Sequence, residues 1–124
     1  MKASYQMPQL PESGVQVTIE GELLRLLFDF SPAEPHEGEE ETDIYDCESV
    51  DVTGRTYGSI VAAIVNDRYS ADDVQAIMAN YAEALDSSSE ITAEKRAEYL
   101  AEYEDYQAWR KHAKEIAVIV LAQL

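Results

Sequence analysis

Between Val15 and Glu20 apolar and polar residues alternate strictly, with Val15, Val17 and Ile19 on one side and Gln16, Thr18 and Glu20 on the other. A period of two is that of a strand with one buried face. Gly21 supplies a turn. The run ELLRLLFDF that follows places Leu24, Leu26, Phe28 and Phe30 on one face and Leu23, Arg25, Leu27 and Asp29 on the other. That spacing predicts a second strand, paired with the first in a hairpin, although a leucine-rich run of this length also suits a helix. Asp43 to Val52 predicts a third strand. Its alternation changes phase between Tyr45 and Cys47 and the later Val50 and Val52, so a bulge or a break is expected near Glu48 and Ser49. The first dozen residues, with Pro8 and Pro11, show no period and are expected to lie over the surface or fray. Ser31 to Thr42 holds two prolines, a glycine and five glutamates, the composition of an exposed, mobile loop.

After Gly54 the period becomes helical. Tyr57, Ile60, Val61, Ile64 and Val65 form a stripe that predicts a helix over 57–66, and Val74, Ile77, Met78 and Tyr81 form the stripe of a second. Ser70 stands at the N-cap of that second helix with Asp73 three residues on, the spacing of a capping box. Thr92 is the next natural N-cap. From Ala93 no glycine or proline interrupts the chain, which predicts one helix of about 30 residues, roughly 45 Å long, with a stripe of Tyr99, Tyr103, Tyr106, Ala113, Ile116, Ala117 and Val120 flanked by Trp109. The last turns, IAVIVLAQL, are apolar all round and β-branched, so residues 116–124 suit helix or strand. The whole reads as one α+β domain over 1–124. An N-terminal antiparallel sheet of two or three strands in a β-rich acidic half (1–54) packs with a helical hairpin and a long C-terminal helix (55–124).

Length and composition support that architecture. A chain of 124 residues with 46% hydrophobic positions is sized for one core. The longest apolar run, Ile116 to Ala122, is far shorter than a membrane span. The first residues carry no apolar signal segment, which implies cytoplasmic synthesis, and a single cysteine fits a reducing compartment.

Charge narrows the partners. The formal net charge is −16, with 13 acids and 2 bases in residues 1–54 against 12 and 7 in residues 55–124. Nine acids and no lysine or arginine lie between Glu34 and Asp51. Such a field repels nucleic acid and attracts basic proteins.

Candidate chemistry is sparse. Asp72 and Asp73 open a helix, where carboxylates satisfy the end of the dipole, and nothing near them in sequence supplies the rest of a carboxylate or metal site. GRTYGS has two glycines but lacks the phosphate-loop spacing and its lysine, and reads as a strand-to-helix turn. His36 and His112 have no partner at metal-ligand spacing and read as solvated. Cys47 lies between Asp46 and Glu48, which disfavour its thiolate, and reads as a buried strand cysteine. No catalytic residue, cofactor or metal is expected. Tyr99, Tyr103, Tyr106 and Trp109 are either core or an aromatic docking face for a protein partner. Glu39, Glu40 and Glu41 are either a solvated loop or a contact with a basic one.

One pattern is more specific. RTYGSIVAAIVNDRYSADDVQAI with EYLAEYEDYQAWRKHAKE resembles a C-terminal helical module of small phage and prophage proteins associated with tails, baseplates or tail fibres. The resemblance rests on Tyr57, Ile60, Val61, Ile64, Tyr69, Ser70, Asp72, Asp73, Ala76 and Ile77, then Glu102, Tyr103, Tyr106, Ala113 and Lys114, and spans residues 55–115. The chain departs from it at Val74, where an acid often stands, and at Met78, Ala79 and Asn80. The resemblance implies a non-enzymatic tail component or assembly factor, cytoplasmic at synthesis and incorporated into the virion or acting before it. Its partner would be a tail or baseplate protein, and a homo-oligomer stays open. The alternative of a different class is an acidic mimic of DNA that inhibits a host DNA-binding protein.

Overall fold

The computed structural model describes residues 1–33 and 43–124. The predicted acidic loop, with His36, Glu39, Glu40 and Glu41, lies outside the described residues for all but its first three positions.

Four strands are present among the described residues: β1 (Lys2–Gln6), β2 (Val15–Glu20), β3 (Leu23–Pro32) and β4 (Ile44–Val52). They form one antiparallel sheet in the order β1-β4-β3-β2. The β2–β3 hairpin closes through Gly21 and Glu22, with φ of +63° at Gly21, the turn that accepts glycine at its first central position. Alternation works as expected as far as Phe28, and Phe30, expected on the same face, lies past an irregularity in β3 and outside the core. Val15, Val17, Leu24, Leu26, Phe28, Val50 and Val52 face the helices, and Leu24, Leu26 and Phe28 are fully buried. Side chains of this size contribute about 2 kcal/mol each on burial. Ile19 shares their face but lies at the hairpin end and stays 58% exposed.

Two expectations about the sheet are corrected. The N-terminal segment does not fray: β1 pairs with β4 from Lys2 opposite Glu48 to Gln6 opposite Ile44. The bulge is not in β4. Its pairing with β1 is continuous, and the extra residue sits in β3, where the register passes from Phe28 opposite Glu48 to Ser31 opposite Asp46. Asp29 takes φ of +57° at this point, a conformation aspartate tolerates better than most side chains. The phase change in β4 has another cause, burial on both faces. Glu48, Val50 and Val52 face the helices, while Cys47 and Leu27 are buried on the opposite face, where Met7 is also buried and Met7, Pro8 and Gln9 lie beside Leu27 and Gln16.

The helices are α1 (Tyr57–Arg68), α2 (Ala71–Leu85) and α3 (Ala93–Ala122). Each opens on a hydroxyl cap: Thr56, Ser70 and Thr92 accept from the backbone N–H of Ser59, Asp73 and Lys95, each at 3.1 Å. Ser59 and Asp73 return the bond to the cap backbone, completing two capping boxes. The GRTYGS turn is shaped around the first of these, since a Cβ on Gly54 would meet Ser59 Oγ at 2.5 Å. α3 continues as helix through Ala122, so the strand reading of 116–124 is not realised. Ala113 and Ala117, one turn apart and fully buried, let it lie close to its neighbours. Tyr57 and Met78 were expected in the buried stripes. Both are 43% exposed, Tyr57 because it is the first residue of α1, and the buried residues of α2 are Ile77 and Ala84.

Candidate interaction site

The aromatic set of α3 is largely consumed inside the fold. Tyr106 and Trp109 are core residues, the first of the two readings the sequence allowed, and in this fold they are not a docking face. Tyr106 meets the Tyr69 ring edge-on at 5.2 Å. Trp109 packs 6.2 Å from Phe28 and donates its indole N–H to the Ile64 carbonyl at 3.2 Å, which satisfies the polar atom a buried tryptophan carries. Tyr103 stacks on Tyr81 with centroids 3.6 Å apart and planes 9° from parallel. Tyr99 is half-buried, with Lys95 Nζ 5.3 Å from its ring centroid.

A charged cluster that sequence reasoning missed joins the sheet to the helices. Glu48 is 4% exposed and faces three cations. Its Oε1 lies 2.7 Å from Lys2 Nζ and 3.0 Å from Arg68 Nη2, and its Oε2 lies 3.3 Å from the α-amino group of Met1, which also contacts Asp67. Burial alone would push this carboxyl up. The hydrogen bonds and positive charges of Lys2 and the α-amino group outweigh that, so it sits below the ordinary glutamate range. Arg68 has a second partner: its guanidinium carbon lies 3.4 Å from the centre of the Trp109 ring. One side chain at the end of α1 therefore ties β4 to α3. The signal available in the sequence was a glutamate in phase with Val50 and Val52.

His112 keeps 34% of its side chain exposed but also has a partner that the sequence did not show. Its Nε2 lies 2.8 and 3.0 Å from the two carboxylate oxygens of Asp29, and its ring stands edge-on to Phe28 at 6.0 Å. The left-handed backbone at Asp29 turns that carboxylate toward α3. Cys47 is the buried strand cysteine expected, its thiol pushed up by burial first and then by Glu48 and Asp46. Among the described residues no three histidine, cysteine, aspartate or glutamate side chains are grouped to hold a metal ion.

Three surface hollows have described linings. One of about 190 Å³ lies at Met7 and Leu27 on the outer face of the sheet, and one of about 410 Å³ lies between β4 and α1. The third, about 380 Å³, is a groove where the three helices meet. Arg68 and Tyr69 from the end of α1, Asp73, Ala76 and Ile77 from the first turns of α2, and Glu102 and Asp105 from the middle of α3 line it. The capping box positions Asp73 by holding its Oδ2 on the Ser70 N–H at 3.0 Å. Glu102 and Asp105, three apart, project from one side of α3 and continue the row begun by Glu94 and Glu98. Asp72 and Asp73 are thus a cap, as read from the sequence, and Asp73 is also the α2 wall of this groove. Its convergence with Glu102 spans 29 residues of chain, which spacing alone does not reveal. Compared with protein-family models, with curated proteins and with solved structures, the chain gives no match in any of the three.

Proposed function

We propose that the chain is a non-enzymatic protein–protein interaction component or assembly factor of phage- or prophage-tail type, made in the cytoplasm and working before or within the virion. One observation supports this reading over a plain acidic domain. Of the residues that carry the resemblance to tail-associated modules, Tyr69, Asp73, Ala76, Ile77 and Glu102 line the same groove. Others, Ile60, Ile64, Tyr106 and Ala113, fill the core behind it. Asp73 is also a cap residue and Ile77 and Tyr69 also belong to the core, but Ala76 and Glu102 are neither, and a pattern made only of caps and core positions gives those two no role. A pattern that shapes a binding groove gives them one.

The partner is a basic surface of another protein, since a chain of net charge −16 steers toward positive potential. No helix among the described residues is long and apolar enough to cross a membrane. The test is a pull-down of the tagged protein from its native host after prophage induction, read by mass spectrometry with a nuclease-treated control. Recovery of tail or baseplate proteins supports the reading. Recovery of a host nuclease, polymerase or repressor in their place overturns it in favour of the acidic mimic.

A further inference from the structure

The groove between α2 and α3 has more negative charge than it can neutralise and an apolar floor. Asp73, Glu102 and Asp105 stand on its walls, while Tyr69, Ala76 and Ile77 offer ring and methyl surface between them. The one cation in the lining, Arg68, is paired with Glu48 at 3.0 Å and lies against the face of Trp109 at 3.4 Å, with its side chain 42% exposed, so it offsets one of the three carboxylate charges at most. Of the other basic residues on the helices, Lys111 and Lys114 lie six and nine residues beyond Asp105 on α3, and three are engaged elsewhere. Lys95 lies 3.5 Å from Glu98 and close to the Tyr99 ring, Arg96 donates to the carbonyls of Ala84, Asp86 and Ser89, and Arg110 donates to Gln107 at 2.9 Å.

An ammonium or guanidinium group complements the three carboxylates. The floor adds a requirement that a simple cation does not meet, since it matches an aliphatic stem that lies along apolar surface while the charged head reaches the acids. Of the two long basic side chains, arginine fits better. Its planar fork bonds two carboxylates at once, and its flat face stacks on a tyrosine ring. We propose that this groove receives an arginine side chain from a segment of a protein partner, its guanidinium held by Asp73, Glu102 and Asp105 and its stem laid over Ala76 and Ile77. The inference rests on the reading of the chain as a protein-interaction module, and not on its assignment to a phage tail.

The probe is a capped peptide of alternating arginine and alanine, titrated into the isotope-labelled full chain at low ionic strength. A matching peptide carries citrulline, which keeps the shape and removes the charge. The expected result is amide shift changes centred on Tyr69, Asp73, Ala76, Ile77, Glu102 and Asp105, with no response to citrulline. The double variant Glu102→Gln, Asp105→Asn should weaken binding about tenfold or more, since it removes two charge-assisted acceptors. Glu12→Gln with Glu22→Gln removes the same charge far from the groove in sequence and should change affinity less than about twofold, as expected for screened distant charges.

Equal losses in the two double variants, shifts spread over all the acidic surface, or equal binding of the citrulline peptide would each overturn the proposal, because they describe diffuse attraction to an acidic protein. Absence of binding overturns it as well. The pull-down separates this inference from the functional reading. If the groove variant still recovers tail proteins, the groove proposal fails and the tail reading stands. If the peptide docks in the groove and no tail protein is recovered, the tail reading fails and the groove stands.

Discussion

Replacing Arg68 with glutamine tests whether one side chain ties the sheet to the helices. Glutamine keeps the helix propensity of arginine, so the end of α1 is left intact. Two interactions are lost. The guanidinium leaves the face of Trp109, which is buried, and a stack of this kind contributes about 1 kcal/mol. Glu48 loses one of three cations. Breaking a fully buried pair removes about 3–5 kcal/mol, but the Arg68 side chain is 42% exposed and Lys2 and the α-amino group stay in place, so solvent screening reduces this share to about 1–2 kcal/mol. The expected total is about 2–3 kcal/mol. In a Glu48→Gln background the ion-pair share is already gone, and the same substitution should cost only about 1 kcal/mol, that of the stack. Urea unfolding followed by fluorescence reads both, because Trp109 is the single tryptophan of the chain. A loss of 2 kcal/mol moves the midpoint by roughly 1 M. An equal cost in the two backgrounds, within about 0.3 kcal/mol, would show that Arg68 and Glu48 do not cooperate and would refute the argument.

Three further outcomes are expected. The Glu48 carboxyl is held below its ordinary range, so its contribution is present above the unfolded value of about 4.3 and is lost as the pH falls through the folded one. The stability gap between wild type and Glu48→Gln in urea should therefore be constant near neutrality and shrink progressively as the pH falls below the unfolded value and through the folded one, and a gap that does not shrink with acid would contradict the pairing. At the bulge, Asp29→Ala places a less tolerant residue at φ of +57° and removes the His112 contact, lowering the melting temperature by roughly 4–8 °C, from about 1–2 kcal/mol of strain and bonding. Asp29→Gly relieves the backbone and should melt higher than Asp29→Ala, and the reverse order would mean that strain is not the main component. At the start of α2, Ser70→Ala should cost about 1 kcal/mol in urea unfolding, whereas Asp72→Asn should stay within about 0.5 kcal/mol. Comparable losses would argue for a carboxylate role there that capping does not explain.

The parts of the fold legible in the sequence are those fixed by local pattern. The β2–β3 hairpin follows from two alternating runs around a glycine, the starts of α2 and α3 follow from the hydroxyl caps Ser70 and Thr92, and that of α1 from the helical period after Gly54. β1 was missed because its alternation, Ala3, Tyr5 and Met7 against Lys2, Ser4 and Gln6, is short and only weakly apolar and is followed at once by Pro8; it is an edge strand held by backbone pairing to residues about 40 positions away. The position of the bulge was missed for a related reason, since a phase change in one strand looks the same whether it comes from an inserted residue or from burial on both faces. Met78 was assigned inward because α2 has more apolar residues than buried positions. Of the candidate site, Asp73 was read as the cap it is, but its meeting with Glu102 and Asp105, like that of Glu48 with Arg68, depends on how the helices cross.

That α2 is the outermost helix has a consequence for the order in which the molecule comes apart. Its buried side chains are Ile77 and Ala84, and it packs on α3 while α1 and α3 hold the sheet. Amide hydrogens of α2 will exchange through a local opening that leaves the sheet and α3 folded, at a free energy well below that of global unfolding. An occupant of the groove that touches both α2 and α3 binds only the closed form, and it raises the free energy of that opening by RT ln(1 + [L]/Kd). Binding would then be recorded as slowed exchange in a single helix, a signature that diffuse attraction to an acidic surface does not produce.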